Sequence, residues 1–551
     1  MEIIGICDNH DSGAAFALNG KIKTLISEER LDRIKNSRNF PVLSIKKVLE
    51  MNNTSMNEID KVVFGSKFTP NFILRLFNAK YAQSKKSQFS YLLNLYFIYQ
   101  SVLKKVGLEK IDETLSKVIL QKRLKSKKIE FVDHHLAHTA AAYYTSGLKR
   151  ALIITIDSMG DGITLTINKG EGREIERVYS QSGFSAVSMY YSRITEALGF
   201  TAIRHEGKVV GLAAYGYPRH LLPLMKKELH FKGKGFNLQN HFLIKRKNKG
   251  FYKKLDEHLA KDVAAAAQLN LEQEVCKFVS FWIKKTGIKD LALAGGLFAN
   301  VKLNQRIHEL KDVRSMYVFP HMGDGGLALG ATLAYLKPSP FRFKNLYFGP
   351  EYSNAEIKKE LERNNLKYTF YKDMETEIAK LLAKGKVVAR FKGAMEFGPR
   401  ALGNRSILYQ PTDVSVNDWL NTKLKRTEFM PFAPTVLEEH AEKCFKNMKG
   451  AEYTAKFMTI TFDCTNWMKK NCPGVVHVDG TARPQILSKK DNLPFYKIID
   501  NYRKLTGIPC VINTSFNMHE EPIVCSPHDA IRAFKDSRLN FLALENFLVR
   551  Q

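Results

Sequence analysis

Two histidines and two aspartates have the residue types and spacing of a metal site. His134 and His138 stand four residues apart at the start of an Ala-rich run, so on a helix both imidazoles project from one face. Asp157 follows the apolar run 151–156, which predicts a buried strand, and Asp324 lies in a Gly-rich loop before an apolar helix. Imidazole nitrogens and carboxylate oxygens together suit a divalent metal. The alternative is that both histidines are hydrogen-bonded core residues.

The elements that must position these side chains occur twice in the first half of the chain. The first copy is strand 2–7, polar loop 8–13, strand 14–18, an Asn19-Gly20 turn and strand 21–27; the second is strand 151–156, loop 157–162, strand 163–168 and a turn at 169–170. Asp8 corresponds to Asp157, and Asp11 to Asp161. Two such lobes are the plan of the actin, sugar-kinase and Hsp70-type ATPases, whose paired loops hold nucleotide phosphates and metal.

Glycine-rich segments of the same half predict further contacts to a nucleotide. Residues 206–216 predict a Gly-rich turn that contains Gly211, and a glycine pair follows the predicted strand 291–294. In many nucleotide-binding proteins a strand, a glycine-rich turn and a helix bring backbone N–H groups close to a phosphate. The candidate contacts to ATP or an adenylate in this half are therefore Asp11, Gly211, Gly295, Gly296 and Asn300.

The charge balance is the unusual feature of the composition. The length of 551 residues predicts two or more domains, and a hydrophobic content of 44% is ordinary for globular proteins. The net charge, however, is +30. Candidate partners are nucleic acid, anionic glycan and an acidic membrane surface, and the alternative is a Lys-rich, AT-biased genome. No acidic residue lies between Ser66 and Leu108, where the cations are Lys67, Arg75, Lys80, Lys85, Lys86, Lys104 and Lys105.

A second basic stretch, residues 226–254, interleaves its lysines with aromatic residues. These are Phe231, Phe236, Phe242, Phe251 and Tyr252. Aromatic rings among cations suit a groove that stacks bases and follows phosphates. No signal peptide or spanning apolar run is visible, which predicts a cytoplasmic protein, and the seven cysteines include no CxxC pair.

Proline-rich turns at 337–340 and 349–350 predict a domain boundary near 345. The first predicted domain is 1–345, with a basic helical insertion near 69–128, and the second is an α/β domain, 346–551. In the second domain, arginines, a lysine and Ser/Thr hydroxyls lie in Gly/Pro-bracketed turns beside apolar strands. Such residues predict a site for a phosphate-bearing substrate.

Ordered motifs along nearly the whole chain resemble the O-carbamoyltransferases of the NodU/CmcH/TobZ family. They are NHDSGAAF, HHLAHTAAAYYTSG, EGKVVGLAAYG, LAGGLFANVKLN, GDGGLALG, MEFGPRALGNRSIL, PFAPTVL, HVDGTARPQ and INTSFN. The resemblance implies an ASKHA-fold first domain, similar to tRNA threonylcarbamoyl transferases, and a YrdC-like second domain. It further implies that carbamoyl phosphate and ATP, with Mg²⁺, form carbamoyl adenylate in the second domain, and that the first domain transfers the carbamoyl group to an acceptor hydroxyl.

The resemblance also implies roles for individual residues. The metal ligands would again be His134, His138, Asp157 and Asp324, with Fe²⁺ the expected metal and Mn²⁺ or Zn²⁺ left open. His10 would be the general base on the acceptor hydroxyl, and Lys35 would lie near the adenylate. Residues implied in binding carbamoyl phosphate and nucleotide are Arg400, Asn404, Arg405, Lys425, Arg483, Asn513 and Ser515. One departure is Met430, where many members have arginine and where Arg426 is the expected replacement.

The resemblance leaves the acceptor hydroxyl open. The positive charge and the basic-aromatic stretches favour 5-hydroxymethylcytosine, or another 5-hydroxymethylpyrimidine, in DNA, in a phage-encoded pathway in the host cytoplasm. The main alternative is a sugar hydroxyl on a glycan, a lipopolysaccharide or an antibiotic-type small molecule. A rival of another class is a non-catalytic ASKHA module that binds nucleotide or tRNA. The oligomeric state stays open.

Overall fold

The computed structural model describes residues 1–77, 99–100, 102–183, 186–238, 251–425 and 427–551, apart from the side chain of residue 252. The chain divides into two compact units. The first unit comprises Met1–Glu28 and Ser37–Arg342, and the second comprises Glu29–Asn36 and Phe343–Gln551. The main boundary thus lies at 342/343, and a short segment near the N-terminus belongs to the second unit.

The first unit is a mixed α/β structure. Its strands are β1 (Glu2–Cys7), β2 (Gly13–Leu18), β3 (Lys21–Ser27), β4 (Lys61–Phe64), β5 (Ile129–Phe131), β6 (Arg150–Gly160), β7 (Ile163–Glu171), β8 (Glu174–Ser182), β9 (Leu229–Lys232), β10 (Gly235–Leu238), β11 (Asp290–Ala294) and β12 (Ser315–Val318). Its helices with described bounds are Val42–Met51, Phe72–Phe77, Glu109–Leu124, His134–Ser146, Val187–Ala197, Glu206–Ala213, Leu222–Glu228, Phe251–Leu255, Ala260–Thr286, Val301–His308 and Leu327–Leu336.

Two five-stranded sheets of this unit share one topology. Their strand orders are β3-β2-β1-β4-β5 and β12-β11-β6-β7-β8. In each sheet the first strand pairs antiparallel with the next strand of the chain and parallel with the strand on its other side, β4 or β11. The second order read backwards is therefore equivalent to the first. This equivalence confirms the internal repeat and the two-lobed, ASKHA-like α/β fold.

The turn that follows the second strand contains two residues in each repeat, but its position agrees with the prediction only in the first repeat. Asn19 (φ 50°) and Gly20 (φ 76°) form the predicted turn, because both residues adopt left-handed backbone conformations. The turn predicted at 169–170 is wrong, since β7 continues through Gly170 and the positive φ occurs at Gly172 (59°). Gly170 is instead a packing position, where a Cβ atom would lie 2.5 Å from the ring of Tyr143.

Two helices rich in small residues lie between the sheets. Helix Leu327–Leu336 packs on β1, and helix His134–Ser146 packs on β6 and β11. The two helices also pack on each other, closely enough that a Cβ atom at Gly330 would lie 2.1 Å from the carbonyl oxygen of Ala137. The small side chains therefore permit the approach of the helix that carries both candidate histidine ligands.

The segment predicted as a Gly-rich phosphate turn is a helix, so that prediction is wrong. Gly211 lies inside the helix Glu206–Ala213, and buried Val209 belongs to the same helix, which packs against helix Ala260–Thr286. An interior helical N–H already bonds to the preceding turn, so Gly211 has no free N–H for a phosphate. Tertiary packing of the apolar residues selects the helix here.

The aromatic residues of the second basic stretch are partly core residues. Phe231 and Phe236 lie on the hairpin β9–β10, and their ring centroids lie 6.0 and 4.8 Å from that of Phe278. Phe236 is 6% exposed. Phe236 is therefore not available to stack on bases, and the half-buried Phe231 packs against the same core. Residues 239–250, which include Phe242 and the four closely spaced cations of the stretch at 245, 246, 247 and 249, lie outside the described residues.

Arg75, counted above among cations that could attract a polyanion, is a buried structural residue. Its Nε donates to Asp8 Oδ2 at 2.9 Å, its guanidinium lies 5.0 Å from the ring centroid of Phe131, and it is 2% exposed. Lys67 from the same stretch pairs with Glu113 at 3.5 Å. Lys80, Lys85 and Lys86 lie outside the described residues. The prediction that Arg75 attracts a polyanion is therefore wrong.

The second unit contains an eight-stranded mixed sheet. The strands of this unit are β13 (Tyr368–Phe370), β14 (Val388–Phe391), β15 (Arg405–Tyr409), β16 (Ala433–Leu437), β17 (Phe462–Asp463), β18 (Thr481–Ala482), β19 (Gln485–Leu487), β20 (Cys510–Ser515), β21 (Phe541–Leu544) and β22 (Phe547–Arg550). Its helices are Glu29–Asp32, Asn354–Arg363, Met374–Ala383, Val416–Lys423, Ala441–Cys444, Glu452–Ala455, Asn466–Asn471, Leu493–Thr506 and Pro527–Ser537. The large sheet has the order β13-β22-β21-β14-β15-β20-β16-β19.

Helices Met374–Ala383 and Leu493–Thr506 form the core of this unit together with the sheet. Ile378 and Ile499 are almost fully buried against Val511 of β20. Their apolar residues recur at helical spacing, which is why the sequence predicts the first of these helices to within one residue. Across the described part of the chain, no helix has both the length and the hydropathy to cross a bilayer.

Candidate functional site

The helix His134–Ser146 carries both candidate histidine ligands in its first two turns. Its N-cap Asp133 accepts the N–H of Leu136 at 2.9 Å, and Asp161 accepts the N–H of His134 at 2.9 Å. The rings of His134 and His138 lie 4.8 Å apart between centroids, and both residues are 0% exposed. The two imidazoles therefore share one buried face, as their spacing predicted.

Two carboxylates complete a four-residue cluster. His138 Nε2 lies 3.1 Å from Asp157 Oδ2 and 3.5 Å from Asp324 Oδ1. His134 Nε2 lies 3.8 and 3.6 Å from the same two oxygens. One candidate ligand atom from each residue lies within 4.8 Å of all the others. The structure thus brings together all four residues that the sequence pointed to.

Two polar side chains from other segments of the first unit, Ser66 and Asn9, orient these ligands. Ser66 Oγ lies 2.9 Å from His134 Nδ1, and Asn9 Nδ2 donates to Asp324 Oδ2 at 3.0 Å. With Nδ1 engaged, His134 Nε2 faces the carboxylates, is buried, and has no hydrogen-bond partner within the described residues. A buried imidazole nitrogen of this kind is a ligand atom suited to a divalent cation, so the residues present fit a metal.

The two carboxylates of the cluster have opposite shifts in pKa. Burial acts to raise the pKa of Asp157, but the neighbouring imidazoles of His134 and His138 hold it well below its usual value. Burial and the neighbouring Asp157 raise the pKa of Asp324 to about 8. Two buried carboxylates repel each other in this way when no cation lies between them.

Glycines leave the space that the cluster requires. A Cβ atom at Gly160 would lie 2.1 Å from the ring of His134, and one at Gly296 would lie 3.1 Å from Asp157 Oδ1. Gly295 has φ +100° and precedes the short turn that follows β11. The predicted glycine pair therefore lies beside the candidate metal site.

Asn300, predicted to contact ATP, has its polar atoms engaged within the protein. Its Oδ1 accepts the N–H of Leu303 at 3.0 Å, capping helix Val301–His308, and its Nδ2 donates to Gln268 at 2.9 Å. It is 7% exposed. The structure gives Asn300 the role of a helix cap.

His10 lies on the first-repeat loop, next to a residue that bonds the cluster. Its Nδ1 is 3.0 Å from Asp11 Oδ2, and its side chain is 19% exposed. Burial lowers the pKa of His10, but the Asp11 carboxylate outweighs burial and raises it overall. Asp11 thereby holds Nδ1 and leaves Nε2 to act on another group.

In the second unit, the loop 396–405 is held from within. The buried carboxylate of Glu396 accepts the N–H groups of Leu402, Asn404 and Arg405 at 2.9, 2.8 and 3.0 Å. The segment Glu29–Asn36 adds Arg30, which donates to the carbonyl of Gly398 at 2.8 Å. Sequence reasoning missed both Glu396 and Arg30.

Arg33 of the same segment fixes a second loop of this unit. It donates to the carbonyls of Pro522 and Ile523, each at 2.8 Å. Lys35, expected near the adenylate, is half-buried and belongs to this segment of the second unit.

Arg400 and Arg483 form the clearest candidate anion site. Both are half-buried. Burial lowers the pKa of Arg483 well below its usual value, and the neighbouring Arg400 lowers it further. Arg483 Nε is buried and has no hydrogen-bond partner within the described residues. Glu428 acts in the opposite direction on the pKa values of both arginines. Two neighbouring guanidinium groups, one of which lowers the pKa of the other, are suited to binding an anion.

Three other residues predicted to bind the phosphate are buried in the same unit. Arg405 is 0% exposed and donates to the carbonyls of Lys392 and Pro350 at 3.0 and 3.1 Å. Asn404 accepts from Arg390 at 3.2 Å and donates to a backbone carbonyl, and Asn513 donates to the carbonyl of residue 401 at 3.2 Å. These contacts give Arg405 and Asn404 positioning roles, which corrects their expected direct contact with ligand.

The remaining predicted residues lie at the surface or at strand ends. Lys425 is exposed and has φ 57°, and Ser515 is half-buried at the end of β20. Met430 is half-buried. The expected replacement at position 426 lies outside the described residues.

Comparison with protein families matches both units. Residues 2–333 match the model described as the carbamoyltransferase N-terminus, and residues 379–551 match the model described as the carbamoyltransferase C-terminus. The first match contains the four-residue cluster and His10, and the second contains Arg400 and Arg483.

Several curated relatives match over most of the chain. The uncharacterized protein MJ1058 of Methanocaldococcus jannaschii is 33% identical over 98% of this chain and 98% of its own length. Nodulation protein NolNO of Sinorhizobium fredii is 30% identical over 98% of this chain and 79% of its own length. Nodulation protein NolO of Bradyrhizobium diazoefficiens is 33% identical, with coverages of 76% and 79%.

Proposed function

The chain belongs to the carbamoyltransferase family, and on that premise we propose that it is an O-carbamoyltransferase that uses carbamoyl phosphate and ATP by way of carbamoyl adenylate. The observation that carries the proposal is the buried cluster of His134, His138, Asp157 and Asp324, in the part that matches the N-terminal carbamoyltransferase model. A cluster of this kind, beside a histidine base, suits transfer of an acyl-type group to a hydroxyl.

The second unit is the proposed place of activation. Arg400 and Arg483 bind the phosphate of carbamoyl phosphate, and water releases carbamate and inorganic phosphate. The carbamate oxygen then attacks the α-phosphorus of ATP, forming carbamoyl adenylate and releasing pyrophosphate. Lys425 and Ser515 are the further candidate contacts, and Lys35 is the candidate contact to the adenylate. A YrdC-like fold for this unit belongs to the same proposal.

The first unit is the proposed place of transfer. His10 Nε2 accepts the proton of the acceptor hydroxyl while Asp11 holds Nδ1, so the oxygen attacks the carbamoyl carbon and AMP leaves. Bound by His134, His138, Asp157 and Asp324, a divalent metal would supply Lewis-acid stabilisation of negative charge. Fe²⁺ is the proposed metal because the nitrogen and oxygen donors suit it; they also suit Mn²⁺ and Zn²⁺.

The acceptor is proposed from two kinds of observation that point in different directions. The net charge of +30 supports a 5-hydroxymethylpyrimidine in DNA, with a phage-encoded origin. The burial of Arg75 and Phe236 removes part of the basis for that acceptor. A sugar hydroxyl therefore becomes the better-supported acceptor. The proposed compartment is the cytoplasm, where ATP and carbamoyl phosphate are available.

Activation is tested by measuring pyrophosphate release from ATP that depends on carbamoyl phosphate. Arg400→Gln should lower this release about a hundredfold, because a phosphate then lacks one of two guanidinium partners. Arg363→Gln is the matched control, since that side chain is 79% exposed on a helix. Full pyrophosphate release by Arg400→Gln would refute the anion-site assignment. No release by the wild-type protein would favour the non-catalytic nucleotide- or tRNA-binding module.

The acceptor is tested with a panel of sugars, 5-hydroxymethylcytosine DNA, 5-hydroxymethyluracil DNA and unmodified DNA. Mass spectrometry of the products should show an added carbamoyl group on a sugar. Carbamoylation of hydroxymethylated DNA alone, with binding that weakens steeply as salt rises, would instead establish the DNA acceptor.

A further inference from the structure

The helix Glu109–Leu124 of the first unit buries two polar residues together with Leu120, and it exposes three aliphatic residues. Asp112 and Ser116 are 2% and 0% exposed, whereas Ile111, Leu115 and Val118 are 58%, 41% and 60% exposed. A helix at the surface of a water-soluble protein ordinarily buries its apolar face and exposes its polar one. A helix with the opposite arrangement is suited to contact with an apolar environment outside the protein.

The buried polar groups fix this orientation. Asp112 accepts the backbone N–H of Phe72 at 3.2 Å, the hydroxyl of Tyr99 at 3.2 Å and the hydroxyl of Ser116 at 3.3 Å. Rolling the helix to bury Leu115 would break these bonds and leave buried polar groups unsatisfied. The apolar side chains are therefore held outward by specific contacts.

Exposed apolar residues are concentrated in this insertion. Of the 22 large apolar side chains that are exposed among the described residues, nine lie between residues 73 and 118. Besides those on the helix, they are Ile73, Leu76, Phe77, Val102, Val106 and Leu108. The short helix Phe72–Phe77 packs against helix Glu109–Leu124, so the two present apolar residues from one substructure. Such a concentration indicates an interaction surface.

The same helix face is basic. Lys110, Lys117 and Lys122 are exposed, and the exposed residues of this helix include no aspartate or glutamate. We name this set, Ile111, Leu115 and Val118 with the three lysines, the lysine-aliphatic face. A second copy of the chain would place these lysines against one another across a twofold axis, which is unfavourable. The charge therefore favours an anionic partner.

We propose that the lysine-aliphatic face docks on the surface of an anionic lipid bilayer. The aliphatic side chains would enter the boundary between headgroups and acyl chains, and the lysines would lie beside lipid phosphates. Nucleic acid suits this face less well, because the exposed apolar residues of the helix are aliphatic and do not stack on bases. The proposal concerns where the protein resides and does not depend on its carbamoyl transfer activity.

The proposal is tested by flotation of the full-length protein with vesicles of phosphatidylcholine alone or of phosphatidylcholine with phosphatidylglycerol. We expect binding to the anionic vesicles and none to the neutral ones. Ile111→Gln/Leu115→Gln/Val118→Gln should reduce the bound fraction to background. Lys110→Gln/Lys117→Gln/Lys122→Gln should weaken binding about a hundredfold, since each lysine beside an anionic surface contributes roughly fivefold.

The matched control replaces three exposed apolar residues of the second unit, Val414→Gln/Val478→Gln/Leu505→Gln, which are 70%, 59% and 57% exposed. This variant should float like the wild-type protein. Retention of vesicle binding by the Ile111/Leu115/Val118 variant overturns the proposal. Failure of the wild-type protein to bind anionic vesicles, or equal binding to anionic and neutral vesicles, overturns it as well. Binding to DNA that the lysine variant loses and the aliphatic variant keeps would make the face a nucleic-acid interface instead.

Discussion

The two repeats of the first unit use corresponding segments, 8–13 and 157–162, for different chemistry. The first segment is a loop between β1 and β2, whereas β6 continues through the predicted second loop to Gly160 with an irregular register. Asp8 and Asp157 occupy corresponding positions, yet Asp8 is neutralised by Arg75, whereas Asp157 faces His134 and His138. Asp11 lies three residues after Asp8, Asp161 lies four residues after Asp157, and both have positive φ, 53° and 50°. One backbone plan thus carries a candidate base in the first copy and a candidate metal ligand in the second. The difference arises from the side chains that other segments bring to each loop.

The second aspartate of each segment, Asp11 or Asp161, shows the same divergence. Asp161 accepts three backbone N–H groups, from Lys67, Phe68 and His134, and so ties the second loop to the ligand helix. Asp11 instead pairs with the side chain of His10. The repeated carboxylate is a structural brace in one copy and a partner of a titratable side chain in the other.

The largest expected effect separates Asp157 from Asp8. Asp157→Ala should lower transfer about a thousandfold and abolish tight binding of a divalent metal, because it removes a charged ligand from the cluster. Metal content by mass spectrometry and product formation would be measured together. Asp8→Asn, at the equivalent position, should keep its metal. Equal metal content in the two variants would show that the loops are not specialised in this way.

The next effect tests the base in the first loop. His10→Gln should lower carbamoyl transfer about a hundredfold while leaving pyrophosphate release unchanged, because proton removal follows activation. Product and pyrophosphate would be assayed in the same reaction. Loss of both activities in proportion would contradict a role for His10 confined to transfer.

Stability should respond to the first loop through its ion pair. Asp8→Asn leaves the buried Arg75 without a charged partner, which should lower the free energy of unfolding by about 3–5 kcal/mol in urea denaturation. Asp60→Asn, an exposed carboxylate, is the control and should change it by less than about 0.5 kcal/mol. Adding Arg75→Met to Asp8→Asn should recover part of the loss; no recovery would point to a cause other than the unpaired charge.

The smallest expected effect is a displacement of the pH profile. Because Asp11 raises the pKa of His10, and the neutral imidazole is the active base, transfer should fall below a pKa higher than that of an ordinary histidine. Asp11→Asn should lower this pKa and move the acid limb of the profile to lower pH. The pH profile of transfer would be measured at saturating acceptor. An acid limb that does not move in Asp11→Asn would show that Asp11 does not set the pKa of the base.

The candidate site could be predicted where its residues share a helix face or follow a strand, as His134, His138 and Asp157 do. Its supporting contacts could not, because they join distant segments. Ser66 lies 68 residues from His134 in the chain, and Asn9 lies 315 residues from Asp324. Local spacing carries no information about such pairs, which only the assembled fold brings together.

The predictions made for Gly170 and Arg75 were wrong for a related reason. Gly170 is compatible with a turn, but its position is determined by the ring of Tyr143. Arg75 in an acid-free stretch reads as a surface cation until Asp8, 67 residues earlier, is placed beside it. In both cases the decisive neighbour belongs to another element. The fold class was nevertheless predictable, because the repeated pattern of strands is local.

The octapeptide Glu29–Asn36 has a consequence for dissecting the molecule. Through Arg30 and Arg33 it supplies donors to the carbonyls of Gly398, Pro522 and Ile523. A fragment that begins at Phe343 would lack these donors. The loop that contains Arg400 would then lose the hydrogen bond from Arg30 to Gly398. Splitting the gene at the sequence boundary would therefore not yield a complete C-terminal half. A working half would need this peptide grafted onto it or supplied separately.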